Sequence, residues 1–387
     1  MSALVRSAIE ILDRLVAFDT TSRNANMPLI EWVRDYLAGH GVAAAILPGP
    51  AGKANLFATI GPAGTAGVLL SGHTDVVPVD GQVWSRDPFR LVEAQGRLYG
   101  RGTTDMKGYV ACMLAIVPRL VETPLRRAVH LALSYDEEVG CYGAPGLVSH
   151  MAAADLRPAA AFIGEPSLMG VVNGHKGSTG LLTRITGRAV HSSRPDLGVN
   201  AVYAALDVIA FLRRRAERLA QTPDSLGLFD PPYTTISVGA LHGGTARNAV
   251  PGDCRIEWDI RATRSGLLPS LLAETEAEIA ERILPAMRAE APEAAIVTEM
   301  VYDVPPLLPE PLAEAESLAK HLVGSNVTGT VPYGSEAGIF QRAGIPAVIC
   351  GPGDIAQAHT ADEWIAIAEI ERCLGFLERL IAHERLG

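Results

Sequence analysis

Gly67-Val-Leu-Leu-Ser-Gly-His-Thr-Asp75 is the stretch on which the fold turns. A short, nearly continuous apolar run ends in a histidine and, two positions later, an aspartate. A run of this length without alternation reads as a strand covered on both faces. Three more runs end the same way. Ala128-Val-His-Leu-Ala-Leu-Ser134 leads to Glu137 and Glu138, Pro158-Ala-Ala-Ala-Phe-Ile163 to Glu165, and Ala347-Val-Ile-Cys350 to His359. Asp105 follows the shorter stretch Arg97-Leu-Tyr-Gly-Arg101. In an open α/β sheet, functional groups gather at the carboxyl ends of the strands, so residues distant in sequence converge there.

The residues so placed are His73, Asp105, Glu138, Glu165 and His359. Two imidazoles and three carboxylates form a ligand set suited to a pair of Zn²⁺ or Co²⁺ ions that activate water for hydrolysis. Charge favours two ions over one. Four positive charges are matched by Asp105 as a bridge, Glu138, Glu165 and one hydroxide, with both histidines neutral. With a single ion, three crowded carboxylates would force at least one pKa upward.

A chain of 387 residues is long for one core, so two domains are expected. Its hydrophobic content of 48% and charged content of 20% describe an ordinary folded protein. A formal charge of −10 with no basic tract argues against nucleic acid as a partner. Five cysteines (Cys112, Cys141, Cys254, Cys350, Cys373) form no CxxC pair, which points to reduced thiols in the cytoplasm. Residues 1–16 carry charges within an apolar pattern of helical spacing (Leu4, Ala8, Leu12, Leu15, Val16), so an amphipathic helix is expected there rather than a signal peptide. No apolar run approaches the roughly 20 residues that span a bilayer.

Up to about residue 176, short strands alternate with helices, as in α/β folds. The next segment differs. Residues 178–186, 234–241, 254–261 and 295–302 read as strands, and 200–213 and 268–287 as helices. The order β-α-β-β-α-β is that of a ferredoxin-like unit. None of the five ligands falls in it. The chain is therefore expected to form an α/β catalytic domain from 1–176 and 305–387, with a mixed sheet flanked by helices, interrupted by an inserted α+β domain at 177–304.

Neighbouring residues take supporting roles in this reading. Asp75 stands behind His73, where it would fix the ring and raise its basicity; read alone, the same HxD is a strand-end histidine with a turn aspartate. Asp105 lies in Gly100-Arg-Gly-Thr-Thr-Asp-Met-Lys-Gly108, ahead of a helix expected over Tyr109–Leu120. It is a bridging ligand or a plain helix N-cap. Of Glu137 and Glu138, one would ligate while the other, Glu137, serves as general base and acid; Asp136 is the alternative ligand one register away. His359 precedes Thr360-Ala-Asp-Glu363, a capping-box pattern expected to start the last helix. In the inserted domain His191 is placed to donate to an oxyanion, Arg261 to hold a carboxylate in two bonds, and Asn248 to donate nearby.

Together, Ser71-Gly-His-Thr-Asp-Val-Val-Pro78, Leu98–Gly108, Ser134-Tyr-Asp-Glu-Glu-Val-Gly140, Ile163-Gly-Glu-Pro166 and Ala358-His-Thr360 resemble peptidase family M20, the aminoacylase-like metallo-deacylases, along essentially the whole chain. The resemblance implies a zinc-dependent exopeptidase-like catalytic domain with two zinc ions on His73, Asp105 (bridging), Glu138, Glu165 and His359. It further implies Glu137 as base, Asp75 behind His73, and an inserted domain that serves as lid and homodimer contact, with His191 able to reach the partner's site. A finer likeness, in His175-Lys-Gly177, His191-Ser-Ser193, Gly198-Val-Asn-Ala201, Tyr333-Gly-Ser-Glu-Ala337 and Gly351–His359, is to bacterial deacylases of N2-acetyl-L-ornithine. The expected reaction is hydrolysis of that amide to ornithine and acetate, in arginine biosynthesis. Another N-acyl amino acid, such as succinyl-diaminopimelate, is the alternative substrate. Glu336 is the candidate for the substrate's side-chain ammonium. A metal-free binding protein on the same scaffold is the reading from another class, disfavoured by the complete ligand set.

Overall fold

Val68–His73 forms a strand buried at every residue. It lies within an eight-stranded sheet of a computed structural model that describes residues 1–64, 66–224, 226–310 and 312–386. Across the sheet the strands run Ala44–Pro48, Ala54–Ile60, Val129–Ser134, Val68–His73, Ala160–Pro166, Ala347–Gly351, Val171–His175 and Thr328–Val331. The four strands Val129–Ser134, Val68–His73, Ala160–Pro166 and Ala347–Gly351 pair in parallel. Val68 lies opposite both Val129 and Ala160, so these strands end level with one another. That register brings His73, the 136–138 turn and Glu165 to one edge. The strands Ala44–Pro48 and Ala54–Ile60 at one side and Val171–His175 towards the other pair antiparallel, so the sheet is mixed.

Helices supply the apolar cover that a parallel sheet needs. Ala3–Val16 buries Ala8, Leu12, Leu15 and Val16 of the expected stripe, together with Val5 and Ile11, while Leu4 is only partly buried. These residues share one core with Leu70, Leu131, Phe162 and Phe376. Truncating a leucine there costs about 2–5 kcal/mol. The helix expected over 109–120 is two helices, Gly108–Ala115 and Val117–Glu122. Pro118 is the cause: it has no N–H for the carbonyl four residues back, and the Tyr36 hydroxyl donates to that Leu114 oxygen instead (3.1 Å). The last helix also begins later than expected, at Ile367. Trp364–Ala366 pairs antiparallel with Arg97–Tyr99, so Thr360-Ala-Asp-Glu363 caps nothing.

The chain divides into two units, one of Met1–Gly174, Leu307–Thr330 and Ser335–Gly387, the other of His175–Pro306 with Val331–Gly334. The second unit has strands Ser178–Thr186, Thr235–Gly243, Asp253–Arg261 and Ala295–Val304 in one antiparallel sheet, ordered second, third, first, fourth. Helix Ala201–Ala220 follows the first strand, and the helical stretch Leu267–Glu278, Ile279–Ile283 and Leu284–Glu290 follows the third. This is the ferredoxin-like order. Asp253–Arg261 alternates strictly at its start, burying Cys254, Ile256, Trp258 and Ile260 with Val208 and Leu212 of the helix. All five cysteines are free and buried. Among the described residues, no helix is long and apolar enough to cross a membrane.

Candidate active site

Each parallel strand delivers its side chain at its carboxyl end. His73 is the last residue of its strand and Glu165 the penultimate residue of its own, one before Pro166. Gly164 beside it is required by close approach. A Cβ there would stand 2.0 Å from Tyr109 Cδ1, so only glycine lets the Tyr109 ring lie on the strand. Asp105 comes from the glycine-rich loop, whose Gly102 has φ +80° and room for no Cβ beside Val76 (2.6 Å). The Asp105–Met106 peptide is cis.

These residues converge. His73 Nε2 lies 2.9 Å from Asp105 Oδ1 and 3.8 Å from Glu165 Oε1. His359 Nε2 lies 3.2 Å from Asp105 Oδ2 and 2.9 Å from Glu138 Oε2. Asp105 thus stands between the two imidazoles. Two overlapping sets have ligand atoms within 4.8 Å of one another: His73, Asp105 and Glu138, and His73, Glu137 and Glu165. Asp136, the alternative to Glu138, is turned away. Its carboxylate accepts from Lys53 Nζ at 2.6 and 2.7 Å.

Asp75 departs from expectation in detail. His73 Nδ1 meets the Asp75 backbone oxygen at 2.9 Å and its carboxylate only at 3.6 Å. The carboxylate instead accepts from the Glu137 and Glu138 amides (3.0 and 3.3 Å) and the Ser22 hydroxyl (2.7 Å). Asp75 therefore orients the ring through its main chain and the Glu137–Glu138 turn through its side chain.

The electrostatics are those of a site built for cations. Burial, then Asp105 and its neighbours, pushes the Glu138 carboxyl up to about 7 and Glu165 well above the usual range. Burial likewise raises Glu137, against the pull of His73. Burial opposes charge on Asp105 too, but hydrogen bonds from His359 and His73 outweigh it and hold that carboxyl low. Bonds to Asp105 and Glu138 raise the His359 imidazole to about 10. Glu165 Oε1 is buried with no hydrogen-bond partner. A buried carboxylate oxygen without a donor, beside imidazoles that the surrounding carboxylates favour in the protonated form, fits divalent cations, which would displace those protons.

The substrate candidates are distributed differently. Glu336 belongs to the first unit and is fully buried, with Ser71 Oγ at 3.4 Å from Oε2 and no hydrogen-bond partner for Oε1. Burial pushes its carboxyl up to about 7. His191, Asn248 and Arg261 belong to the second unit. The Ser193 amide donates to His191 Nδ1 (3.1 Å), so the neutral ring carries its proton on Nε2. The Asn248 backbone oxygen accepts from Ser192, leaving its side chain exposed. Arg261 Nε donates to Asp259 (2.8 Å), so part of its guanidinium is already engaged.

Near the site, Arg101 and Gln82 carry no expectation from the sequence, and Glu363 has a role other than the one expected of it. Glu363, assigned to a helix cap, is buried against the Asp105 loop, where it meets Arg101 at 2.7 Å. Gln82 donates to the His359 carbonyl (2.8 Å). An arginine between two glycines in Gly100-Arg-Gly102 was the one available signal.

The description Peptidase family M20/M25/M40 matches residues 69–383. An acetylornithine deacetylase of Pasteurella multocida (strain Pm70) is 33% identical over 97% of this chain and 98% of its own. One of Shigella sonnei (strain Ss046) is 34% identical over 95% and 92%. Among solved structures, the aminopeptidase PepT of Bacillus cereus ATCC 10987 superposes with a TM-score of 0.73 at 18% identity, covering 97% of this chain and 98% of that one. The M20 family metallo-carboxypeptidase Sso-CP2 of Sulfolobus solfataricus gives 0.73 at 18% identity over 98% and 99%. The YXEP protein of Bacillus subtilis, described as a dinuclear metal binding peptidase from the M20 family, gives 0.65 at 16% identity over 98% of each chain. With the family description spanning most of the chain and relatives above 30% identity along nearly all of it, the chain belongs to peptidase family M20/M25/M40 and is a hydrolytic enzyme.

Proposed function

We propose that the protein removes the acetyl group from N2-acetyl-L-ornithine, yielding L-ornithine and acetate, as a step of arginine biosynthesis in the cytoplasm. The observation that carries the reading is Asp105 held between His73 and His359, with Glu138 on one side and Glu165 on the other. The relatives named acetylornithine deacetylase support the choice of substrate.

In this reading His73, Asp105, Glu138, Glu165 and His359 hold two Zn²⁺ ions, with Co²⁺ able to replace them. Divalent cations there supply a Lewis acid for the amide carbonyl and acidify water. Glu137 takes the proton of the attacking water and delivers it to the leaving amine, as a base poised by burial does. Asp75 keeps Glu137 and Glu138 in place through their amides. His191, with its proton on Nε2, donates to the developing oxyanion. The second unit serves as lid and as the contact of a homodimer. Arg261 and Asn248 take the substrate carboxylate, and Glu336 faces the ammonium end.

The test is kcat/KM on a panel of N-acyl amino acids with the Zn²⁺- and Co²⁺-loaded enzyme. N2-acetyl-L-ornithine is expected to lead. A clear preference for N-succinyl-diaminopimelate or N-acetylmethionine would overturn the substrate. Within the same panel, Glu336→Gln is expected to lower kcat/KM for acetylornithine about tenfold, the worth of one charge-assisted bond, and to spare N-acetylmethionine. Equal losses on both would remove Glu336 from substrate recognition.

A further inference from the structure

Glu363 and Arg101 are each 1% exposed and paired at 2.7 Å. Burying two charges costs several kcal/mol per ion, and such pairs are often replaced by apolar residues without loss of stability. Stability is therefore a weak reason for this pair. Its remaining bonds point elsewhere. One Glu363 oxygen accepts from the Gly102 amide (3.0 Å), and the other from the Thr104 and Asp105 amides (2.9 and 3.2 Å). One carboxylate therefore pins the backbone of the loop that carries Asp105.

The arginine reaches the other way. Arg101 Nη1 lies 3.3 Å from the Thr360 carbonyl, and Nη2 donates to Gln82 Oε1. The Gln82 amide nitrogen in turn donates to the His359 carbonyl at 2.8 Å. Trp84 holds Gln82 from behind, its Nε1 bonding the same Oε1 at 3.0 Å. His359 needs such support. It sits at φ +62°, a region side-chain-bearing residues rarely adopt, and its side chain is 52% exposed. Packing alone does not fix it.

We infer that Glu363, Arg101 and Gln82 form a clamp that sets the spacing of Asp105 against His359, and so the affinity of the cation those two residues share. They are positioning residues, since none of them reaches the site itself. This inference rests on the metal reading proposed above. Groups of this kind, bonded to ligands rather than to metal, typically change metal affinity about 10- to 100-fold when removed.

The experiment measures Zn²⁺ dissociation constants by competition with a chromophoric chelator, for the parent protein, Glu363→Gln and Gln82→Ala. Circular dichroism establishes that each is folded, and the visible absorption of the Co²⁺-loaded forms reports ligand geometry. In Gln82→Ala, whose bond reaches His359, one dissociation constant is expected to rise about 10- to 100-fold, with the other cation unaffected and an altered Co²⁺ spectrum; in Glu363→Gln, which loosens the loop of the bridging Asp105, that same constant is expected to rise at least as far. Should Glu363→Gln fail to fold, Gln82→Ala decides alone, because it leaves the buried pair intact. Folded variants that bind both cations like the parent, or a folded Gln82→Ala that weakens both equally, would overturn the clamp while leaving the metal reading standing. A parent that binds no divalent cation would overturn both.

Discussion

The two units bury their sheets in opposite ways. In the first, Val68–His73, Val129–Ser134 and Ala160–Pro166 are buried at every position. In the second, Thr235–Gly243 and Asp253–Arg261 alternate, and one sheet face stays open with charged residues such as Arg255 and Glu257. A parallel sheet covered on both sides leaves its strand ends as the place where polar groups can converge; His73 and Glu165 stand there and Glu138 just beyond, while Asp105 joins them from the glycine-rich loop and His359 from the segment after Ala347–Gly351. An antiparallel sheet with a free face offers its loops and strand ends, and His191, Asn248 and Arg261 are found at those. In the reading proposed above, the cation ligands, Glu137 and Glu336 lie in the first unit, and His191, Asn248 and Arg261 in the second. That division can be broken by experiment.

The largest effect is expected from Glu137→Ala in the first unit. A general acid–base group contributes about 10²- to 10⁴-fold, so kcat should fall by that factor while the metal content, measured by atomic absorption, stays at the parent value. Parental turnover would dismiss Glu137 as the base. Lost metal would mean that Glu137 ligates, as its proximity to His73 and Glu165 allows.

His191→Ala should act from the second unit, lowering kcat by about 10²-fold with little change in KM, as expected of a donor that strengthens in the transition state. A change confined to KM would make His191 a ground-state contact and blur the division between the units. Activity regained on mixing His191→Ala with Glu137→Ala subunits would place it in the partner's site.

The smallest effect concerns stability. His130 lies in the fully buried strand Val129–Ser134, with Thr59 Oγ1 at 2.9 Å, and burial pushes its imidazole down to about 4. Between pH 6.5 and 4 the unfolded chain binds a proton here that the folded chain refuses, so stability falls as pH falls through that window and levels off below it. The full cost is on the order of 3 kcal/mol. Urea midpoints taken across pH 4–7 should slope less steeply for His130→Gln than for the parent. Identical slopes would show that this side chain does not contribute to the acid sensitivity of the first unit.

Much of this is legible in the sequence. The apolar runs placed His73, Glu165 and the Glu137–Glu138 turn at strand ends, because a strand covered on both faces must be apolar throughout. The four long strands and two helical stretches of the second unit were readable from their periods, including Ser178–Thr186 at its observed bounds, whereas the short pair Val190–His191 and Ala249–Val250 was not. The break at Pro118 is local and legible in the sequence, although the apolar pattern runs through it to Leu120.

What the amino-acid order determined on its own is therefore periodicity and residue type: which segments are strands, which helices, and which side chains have the chemistry to bind cations. The tertiary structure alone decided the partners. Asp75 turns its carboxylate to the Glu137–Glu138 amides, 62 and 63 residues away. Asp136 goes to Lys53 across 83 residues. Glu363 reaches back 258 residues to the Asp105 amide instead of capping the helix beside it. A capping box and a long-range acceptor have the same residues in the same order. The choice between them depends on which N–H groups the packed chain leaves unpaired nearby, and burial forces those groups to be satisfied by whatever the fold brings within reach.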